Sequence, residues 1–196
     1  MPVVIEHLPA ARRVLRLVIV SESVPDAAPS LPPGSLVAGL HERNHDIHIV
    51  RPRATPASAS HQEAHGVPGA GGRIPALRLS LLTKRHLAGR WNRQRPDLVH
   101  IPQAGPLGWS ALQVARKLHI PVTSACAPPL PLDGGLALLR KAAVIRLRKF
   151  HNLAQATIVP DQATREELAA AGFRNLRVVA AGDIDAFESL ILSLAP

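Results

Sequence analysis

The sequence has few aromatic residues, one cysteine and no long apolar run. Aromatic residues make up 3% of its 196 positions and tyrosine is absent, so a platform of rings for stacking nucleic-acid bases is poorly supplied. The single cysteine, Cys126, excludes an intramolecular disulfide and fits a reducing compartment, which favours the cytoplasm. No apolar run reaches the roughly 18 residues that a membrane-spanning helix needs. Arg12, Arg13 and Arg16 follow the first apolar stretch, whereas a signal peptide has the reverse order.

Basic residues outnumber acidic ones, and the formal net charge is +9. An excess of positive charge favours anionic partners such as nucleic acid, phosphate groups or an acidic membrane surface. Nucleic acid is the least supported of these, because charge alone is a weak sign and aromatic residues are scarce. Hydrophobic residues make up 46% of the chain, which is enough for the core of one domain and excludes general disorder.

Motifs for a dinucleotide, a metal or a catalytic triad are not found. No Gly-x-Gly-x-x-Gly follows the first predicted strand, so a dinucleotide-dependent oxidoreductase is excluded and no cofactor is predicted. Two histidines four positions apart on a helix can bind zinc, and His61 and His65 have that spacing. They lie in a loop-like stretch without an evident third ligand, and His41, His45 and His48 are only close in sequence. We therefore predict no metal site.

Strands and helices alternate along the chain. The predicted strands cover 14–20, 46–50, 97–101, 120–124, 156–159 and 175–180. The predicted helices cover 35–45, 77–95, 107–118, 135–154, 162–171 and 185–194. Residues 51–75 are rich in proline, glycine, alanine and serine and predict a mobile loop. Several strands are apolar on both faces, which predicts an α/β fold: one Rossmann-like, doubly wound domain over 14–196, with a mostly parallel sheet, helices on both faces and a short extension at 1–13.

The stretch "IPQAGPLGW" (101–109) predicts a tight loop between a strand and a helix. Gly105 allows a sharp turn, and Pro106 suits the first helical position, where its missing N–H is not needed. Ligands of such sheets bind beyond the carboxyl ends of the strands. The free N–H groups that open the helix favour an anion or a sugar hydroxyl. The alternative is a well-made turn that binds nothing.

Three segments carry a resemblance to a known family. They are "RLVIVSES" (16–23), "RPDLVHIPQAGPLGWSALQVARKLHIPVTS" (95–124) and "FHNLAQATIVPDQATREELAAAGFRNLRVVAAG" (150–182). In this order they resemble the N-terminal domain of the family-four retaining glycosyltransferases, especially GDP-mannose-dependent α-mannosyltransferases. The resemblance covers most of residues 14–185.

The resemblance implies one half of a two-domain enzyme. In the family, the N-terminal half binds the acceptor, the C-terminal half binds the nucleotide sugar, and transfer retains the anomeric configuration. The sequence ends at Pro196, about where the second half would start, so we expect a separate donor-binding domain and no activity of this chain alone. The acceptor would be a glycan or a lipid. The resemblance and the loop together suggest these ligand-binding residues: Gly34, Gly105, Leu107, Gly108 and Gly182.

Polar site positions of the family are altered here. Relatives have a glycine-rich loop after the first strand, whereas "VPDAAPSLPPGS" (24–35) contains only Gly34. Ala127 stands where relatives often have an active-site histidine, and Ala181 replaces an arginine before Gly182. Alanine can neither donate a hydrogen bond nor carry a proton, so no catalytic residue is predicted. The alternative function is a non-catalytic binding module for an anionic glycan, a lipid surface or a protein partner.

The segment "GGLALLRKAAVIRLRKFHN" (134–152) predicts a basic amphipathic helix. Its expected apolar stripe consists of Leu136, Leu139, Ala143, Leu147 and Phe150. Its expected basic face consists of Arg140, Lys141, Arg148 and Lys149. This face suggests peripheral contact with the anionic inner surface of a membrane. The alternative is a core helix whose basic side is merely solvated.

Overall fold

The computed structural model describes residues 13–22, 33–52, 64–67, 76–127 and 137–196. Within these ranges the strands are β1 (Arg16–Val20), β2 (Asp46–Pro52), β3 (Ala64–Val67), β4 (Leu98–Ile101), β5 (Val122–Ala125), β6 (Ala156–Val159) and β7 (Leu176–Val178). The helices are α1 (Pro33–Glu42), α2 (Ala76–Arg93), α3 (Pro106–Lys117), α4 (Ala137–Leu153), α5 (Gln162–Ala170) and α6 (Ile184–Leu194). The predicted extension at 1–13 lies outside the described residues except for Arg13.

The strands form one parallel sheet in the order β3-β2-β1-β4-β5-β6-β7. Residues of β1 pair with β2 on one side, such as Ile19 with Ile49, and with β4 on the other, such as Ile19 with His100. The chain first builds outward from β1 to β3, then returns past β1 and builds toward β7. This order confirms the predicted doubly wound α/β class, with right-handed crossovers placing helices on both faces.

The alternation of side chains along β1 separates two cores. Leu17 and Ile19 face α1 and α6, where they pack with Leu40 and Phe187 among others. Val18 and Val20 face the opposite side, in a cluster with side chains of α2, α3 and α4. Because both faces are covered, the central strands are almost entirely buried, which explains their apolar, β-branched sequences. A smaller cluster under α5 includes Leu168 and Phe173.

The prediction of one continuous loop over 51–75 is wrong in part. β2 continues to Pro52, and Ala64–Val67 forms the edge strand β3, which pairs with β2 through contacts such as Val50 with His65. The four residues of β3 include Ala64 and Gly66, which have low strand propensity, so the sequence carries no signal for a strand. Hydrogen bonding to the neighbouring strand β2 stabilises the extended conformation that the low strand propensity of this segment does not favour. Residues 53–63 and 68–75 lie outside the described part of the chain.

Candidate functional site

The crevice between β1 and β4 lies where the direction of strand order reverses. β1 leads into Ser21 and Glu22, and β4 leads into the loop Pro102–Gly105, after which α3 begins at Pro106. The two strands are hydrogen-bonded neighbours, so these segments lie side by side at the carboxyl end of the sheet. In doubly wound folds, a reversal of this kind opens a crevice that binds ligands. We call this region the switch-point site.

A carboxylate occupies the N-terminus of α3 in the switch-point site. The amide of Gly108 donates to Oε1 of Glu22 across 2.7 Å, and the amide of Glu22 itself donates to Oε1 of Gln103 across 3.3 Å. The N-cap residue, Gly105, has no side chain with which to cap the helix. Glu22, which follows the neighbouring strand β1, therefore caps the helix in place of the aspartate or serine that usually stands at the N-cap position. Its carboxylate lies at the positive end of the helix dipole.

The pKa of Glu22 is raised, and its largest cause is burial of the half-buried carboxylate. Hydrogen bonds from the amides of Gly108 and Leu107 act in the opposite direction, because they stabilise the charged form. The switch-point site thus contains a half-buried carboxyl group bonded to backbone amides.

Two glycines, the N-cap Gly105 and Gly108 in the first turn of α3, allow neighbouring groups to approach closely here. A Cβ atom built at Gly105 would overlap the carboxylate of Glu22, and one built at Gly108 would overlap the carbonyl oxygen of Gln103. Both amino acids are thus glycine because neighbouring atoms fill the space that a side chain would need. At Gly105 the group that approaches closely is the chain's own carboxylate, that of Glu22.

The expectation of free amides at the start of α3 is wrong for Gly108, whose N–H is bonded to Glu22. The backbone of Leu107 shares that carboxylate, and its side chain is 8% exposed and belongs to the core. Gly34 lies in the first turn of α1, the helix that follows β1. Gly182 has a φ of +85° in the turn after β7, at the far side of the sheet from β1. The fold therefore groups Gly105, Leu107 and Gly108 and places Gly182 apart from them.

Glu22 and Gln103 were not predicted as site residues. Both lie within segments quoted above for the family resemblance, but each becomes significant only through a partner distant in sequence. Glu22 comes two residues after the end of β1, and Gln103 two after the end of β4. A polar residue immediately beyond a buried strand is the signal that could have identified both.

Ser124 and His151 form a hydroxyl–imidazole pair inside the sheet rather than at a surface. Ser124 Oγ lies 2.9 Å from His151 Nδ1 and 3.0 Å from Thr157 Oγ1. Nucleophilic serines need such a base, but Ser124 is 0% and His151 1% exposed, so no substrate reaches them. Burial lowers the pKa of His151 to about 4. The pair therefore joins β5, β6 and α4 as a neutral hydrogen-bond network.

His100 forms a second buried contact on the opposite face. Its Nδ1 lies 3.0 Å from Thr123 Oγ1, and its ring meets Phe187 of α6 edge-on with 5.2 Å between centroids. Burial lowers the pKa of His100 to about 4, so the imidazole is neutral at physiological pH. His100 therefore ties β4 to β5 and α6 and takes no part in the switch-point site.

Among the other described histidines, His45 is engaged in contacts with neighbouring residues. Among the residues that the structure describes, no group of three or more His, Cys, Asp or Glu side chains is placed to hold a metal ion. His45 accepts a hydrogen bond from the amide of Leu15 at Nδ1 (3.2 Å) and lies 3.1 Å from Glu188 Oε1 through Nε2. His61 lies outside the described residues, and of His65 only the backbone is described.

The basic face of α4 differs in composition from the prediction. Lys141 and Lys149 are exposed, and Arg146 is exposed beside them with its guanidinium 5.8 Å from the Trp109 ring. Arg148 instead donates to the carbonyl oxygen of Ala171 across 3.1 Å and so holds the end of α5. The side chain of Arg140 lies outside the described part of the chain.

The predicted apolar stripe of α4 is only partly directed inward. Phe150 is buried and Leu147 packs under α5, but Ala143 is exposed. Leu136, and the side chain of Leu139, lie outside the described residues. None of the helices in the described ranges combines the length and apolar character needed to cross a membrane.

Comparison with known proteins gives matches over most of the chain. The family model described as Glycosyltransferase Family 4 matches residues 34–182. A GDP-mannose-dependent alpha-mannosyltransferase from Mycobacterium tuberculosis (strain CDC 1551 / Oshkosh) is 30% identical over 167 residues. That alignment covers 82% of this chain and 39% of the relative, so the chain spans well under half the length of that protein.

Solved structures share the architecture at low sequence identity. A UDP-GlcNAc 2-epimerase from Methanocaldococcus jannaschii superposes with a TM-score of 0.62 at 16% identity, over 90% of this chain and 49% of that one. A sucrose-phosphate synthase structure from Thermosynechococcus elongatus superposes with a TM-score of 0.62 at 10% identity, over 90% of this chain and 96% of that one. Identities this low establish the fold alone. The family model, by contrast, matches the sequence from α1 to the turn after β7, and the chain belongs to glycosyltransferase family 4.

Proposed function

We propose that this chain is the acceptor-side half of a retaining hexosyltransferase, of a mannosyl-transferring kind. The observation that carries the proposal is the 30% identity to a GDP-mannose-dependent alpha-mannosyltransferase, which extends over 82% of this chain. The chain corresponds to 39% of that relative, which supports the assignment of one half of the enzyme to it. In this proposal a donor-binding domain, in the same polypeptide or another, supplies the nucleotide sugar.

The switch-point site is the place we propose for the acceptor. A sugar or polyol carries hydroxyl groups that both donate and accept hydrogen bonds. Glu22 offers carboxylate oxygens and Gln103 a side-chain amide, and both lie just beyond the strands that frame the crevice. Rigid neighbouring strands hold these groups, so an acceptor hydroxyl would be positioned for attack on the donor sugar.

Proton transfer is not assigned to the polar residues of this site. Ala127, which stands in the place of the family's histidine, follows β5 and is partly buried. A methyl group at that position cannot carry a proton or bind a phosphate oxygen. This alteration favours a second candidate function, a binding module that holds a glycan, a lipid surface or a protein partner without chemistry.

The test of the proposal is a transfer assay with and without a donor-binding domain. The purified chain is incubated with labelled GDP-mannose or UDP-glucose and lipid acceptors, and we expect no turnover. Addition of the C-terminal half of the mycobacterial relative, or fusion to it, should then restore transfer above the background of that half alone. Turnover by the chain alone would contradict the division into halves. Binding of a hexoside at Gly108 without restored transfer would favour the binding module.

We also propose a cytoplasmic location with peripheral contact to an anionic membrane. The single cysteine, which is buried and free, is consistent with a reducing environment. The exposed residues Lys141, Arg146 and Lys149 on α4 support contact with acidic lipid headgroups. Such contact would bring the acceptor-side domain to a lipid-linked acceptor.

A further inference from the structure

We propose that the outer edge of β7 is a docking surface for an extended acidic segment of another protein, which adds to the sheet as a further strand. The surface lies at the end of the sheet away from β3 and apart from the switch-point site, so the proposal does not depend on sugar transfer. Three features of the structure carry it: the direction of the backbone groups, the contacts that hold the edge, and the side chains on its two faces.

The backbone of β7 directs hydrogen-bonding groups away from the sheet. The amide of Val179 donates to the carbonyl oxygen of Val159 across 3.0 Å, and the carbonyl oxygen of Asn175 accepts from an amide of β6 across 2.8 Å. Because peptide groups alternate in direction along a strand, the N–H and C=O groups of Leu176 and Val178 point outward. Among the described residues, β7 is the outermost strand on this side, so these groups are available to an added strand.

Contacts at both ends hold this edge in its extended conformation. The side-chain amide of Asn175 donates to the carbonyl oxygen of Ala154 across 3.1 Å, and the amide of Arg174 donates to Oδ1 of Asn152 across 2.7 Å. At the other end, Val179 is bonded to β6. A strand that is already fixed loses little conformational entropy when a partner pairs with it. The edge of β7 is therefore preorganised for strand addition.

The two faces of β7 differ in the chemistry of their side chains. Val178 exposes 41% of its surface and lies on the same side of the strand as the buried Leu176. Arg177 lies on the opposite side and is exposed, and Arg174 is exposed just before the strand. No ion pair among the described residues includes either arginine. An added strand of alternating apolar and acidic residues would place an apolar side chain beside Val178 and a carboxylate beside Arg177.

The charge of Arg177 decides between two kinds of partner. Antiparallel pairing with β7 of a second copy, centred on Arg177, would join the outward groups of Leu176 to those of Val178. It would also place two arginines directly opposite each other, and like charges at such positions destabilise the pair. Charged side chains on edge strands commonly prevent association of this kind. Arg177 therefore disfavours a second copy and favours an acidic segment, which is the difference of affinities that specificity requires.

The experiment is a titration of the chain with a short soluble peptide of alternating valine and glutamate, followed by NMR and amide hydrogen exchange. Strand addition should protect the outward amides of Leu176 and Val178 from exchange. The amides of Arg177 and Val179 point toward β6 and should change little. The control peptide alternates valine and lysine, so it can form the same backbone bonds but carries the opposite charge, and we expect the wild type not to bind it.

Two variants test the charge and the backbone separately. Arg177→Glu should weaken binding of the valine–glutamate peptide about tenfold, and the valine–lysine peptide should now protect the outward amides. Val178→Pro removes an outward N–H but none of the bonds to β6, and it should reduce binding of both peptides below detection. Arg177→Glu provides the measurement if Val178→Pro does not fold. The matched control is Arg85→Glu on α2, which changes the net charge equally at another exposed position and should bind like the wild type.

Three results would overturn the inference. Equal weakening of the valine–glutamate peptide by Arg177→Glu and Arg85→Glu, or equal binding of both peptides to the wild type, would show that the charge of Arg177 selects nothing. Binding of the peptide without protection of Leu176 and Val178 would indicate electrostatic attraction alone. Protection of these two amides without peptide, increasing with protein concentration, would identify a second copy of the chain as the occupant of the edge.

Discussion

At the scale of single residues, the switch-point site is organised by the absence of side chains. Gly105 leaves room for a carboxylate, and Gly108 leaves room for the backbone of the preceding loop. The two positions differ in what a side chain would displace. Glu22 is a flexible side chain that can move aside, whereas the carbonyl oxygen of Gln103 belongs to the backbone and moves only with its loop. The cost of a substitution should therefore be larger at Gly108.

We predict that Gly108→Ala destabilises the domain by about 1–3 kcal/mol, the usual cost of overpacking. Helix propensity alone would predict that this change stabilises the domain, because alanine has a higher helix propensity than glycine. We expect destabilisation instead. The matched control is Gly89→Ala on α2, where a new Cβ meets only the end of Arg93 at 3.9 Å. That change should stabilise by about 0.5–1 kcal/mol. Urea unfolding of both variants measures the difference, and equal stabilisation by both changes would contradict this account.

At the scale of elements, α4 is held near its C-terminal end and is largely exposed over residues 141–146. Near its C-terminal end Phe150 is buried and Arg148 is bonded to the end of α5, so this half is fixed. Residues 141–146 are almost all exposed, and Ile145 exposes 55% of its surface. The exposed half thus combines an aliphatic side chain with basic ones, a combination suited to the interface of an anionic bilayer.

We predict that the domain binds anionic vesicles weakly and reversibly through the exposed basic side chains Lys141, Arg146 and Lys149 of α4. Each basic side chain near such a surface contributes about 1 kcal/mol, so three exposed ones should give measurable co-sedimentation. Binding should fade as salt rises, because the Debye length falls from about 10 Å at 0.1 M to about 3 Å at 1 M. The double change Lys141→Glu and Lys149→Glu should abolish binding.

The control for vesicle binding is the double change Arg116→Glu and Lys117→Glu. Both residues are exposed at the C-terminal end of α3, so this variant alters the net charge equally but at a different place. It should retain most of the binding if α4 is the contact surface. An equal loss in both double variants would indicate that net charge alone attracts the protein, and persistent binding of the α4 variant would exclude the helix.

At the scale of the whole molecule, two neutral histidines stabilise the sheet from opposite faces. His100 contacts Thr123 and Phe187, and His151 contacts Ser124, so between them they join β4, β5, α4 and α6. Burial lowers both pKa values from 6.5 to about 4. The two histidines therefore bind protons less readily in the folded domain than in the unfolded chain. The free energy of unfolding consequently depends on pH.

We predict that the free energy of unfolding is highest above pH 6.5 and falls as the pH is lowered toward 4. Below the unfolded pKa of 6.5 the unfolded state binds protons first, and the loss is complete once the folded histidines also titrate near 4. A shift of this size corresponds to about 3 kcal/mol for each histidine at the lower end. Urea denaturation across this range measures the effect.

Two variants assign the pH dependence to the buried histidines. His100→Gln keeps a hydrogen-bonding group for Thr123 but cannot titrate, so it should reduce the fall in stability by about half. His86→Ala removes an exposed imidazole of α2 and should leave the pH dependence unchanged. A stability that is constant from pH 6.5 to 4 in the wild type would contradict the assignment.

Most elements were predictable because their signals are local. The predicted strand 156–159 has the same bounds as β6. The helices and the remaining predicted strands differ from their predicted bounds by a few residues at their ends. Apolar, β-branched runs and prolines before helices act within a few residues, so they can be read from the chain alone. β3 was missed because it is a strand through its pairing with β2, and pairing is not a property of the segment itself.

The sequence by itself determined the fold class, because alternating strands and helices impose a parallel sheet, and it indicated the carboxyl end of that sheet as the place where a ligand would bind. It could not show which groups of the chain itself lie there. Glu22 and Gly108 are 86 residues apart, and the carboxylate reaches the amide only because the sheet order places β1 beside β4. Arg148 likewise looks like a solvent-exposed residue in the sequence. Its hydrogen bond to the end of α5 exists only because the fold places α5 beside α4. Periodicity identifies the side of an element that faces the core, whereas the partner of a polar group depends on which elements meet in space.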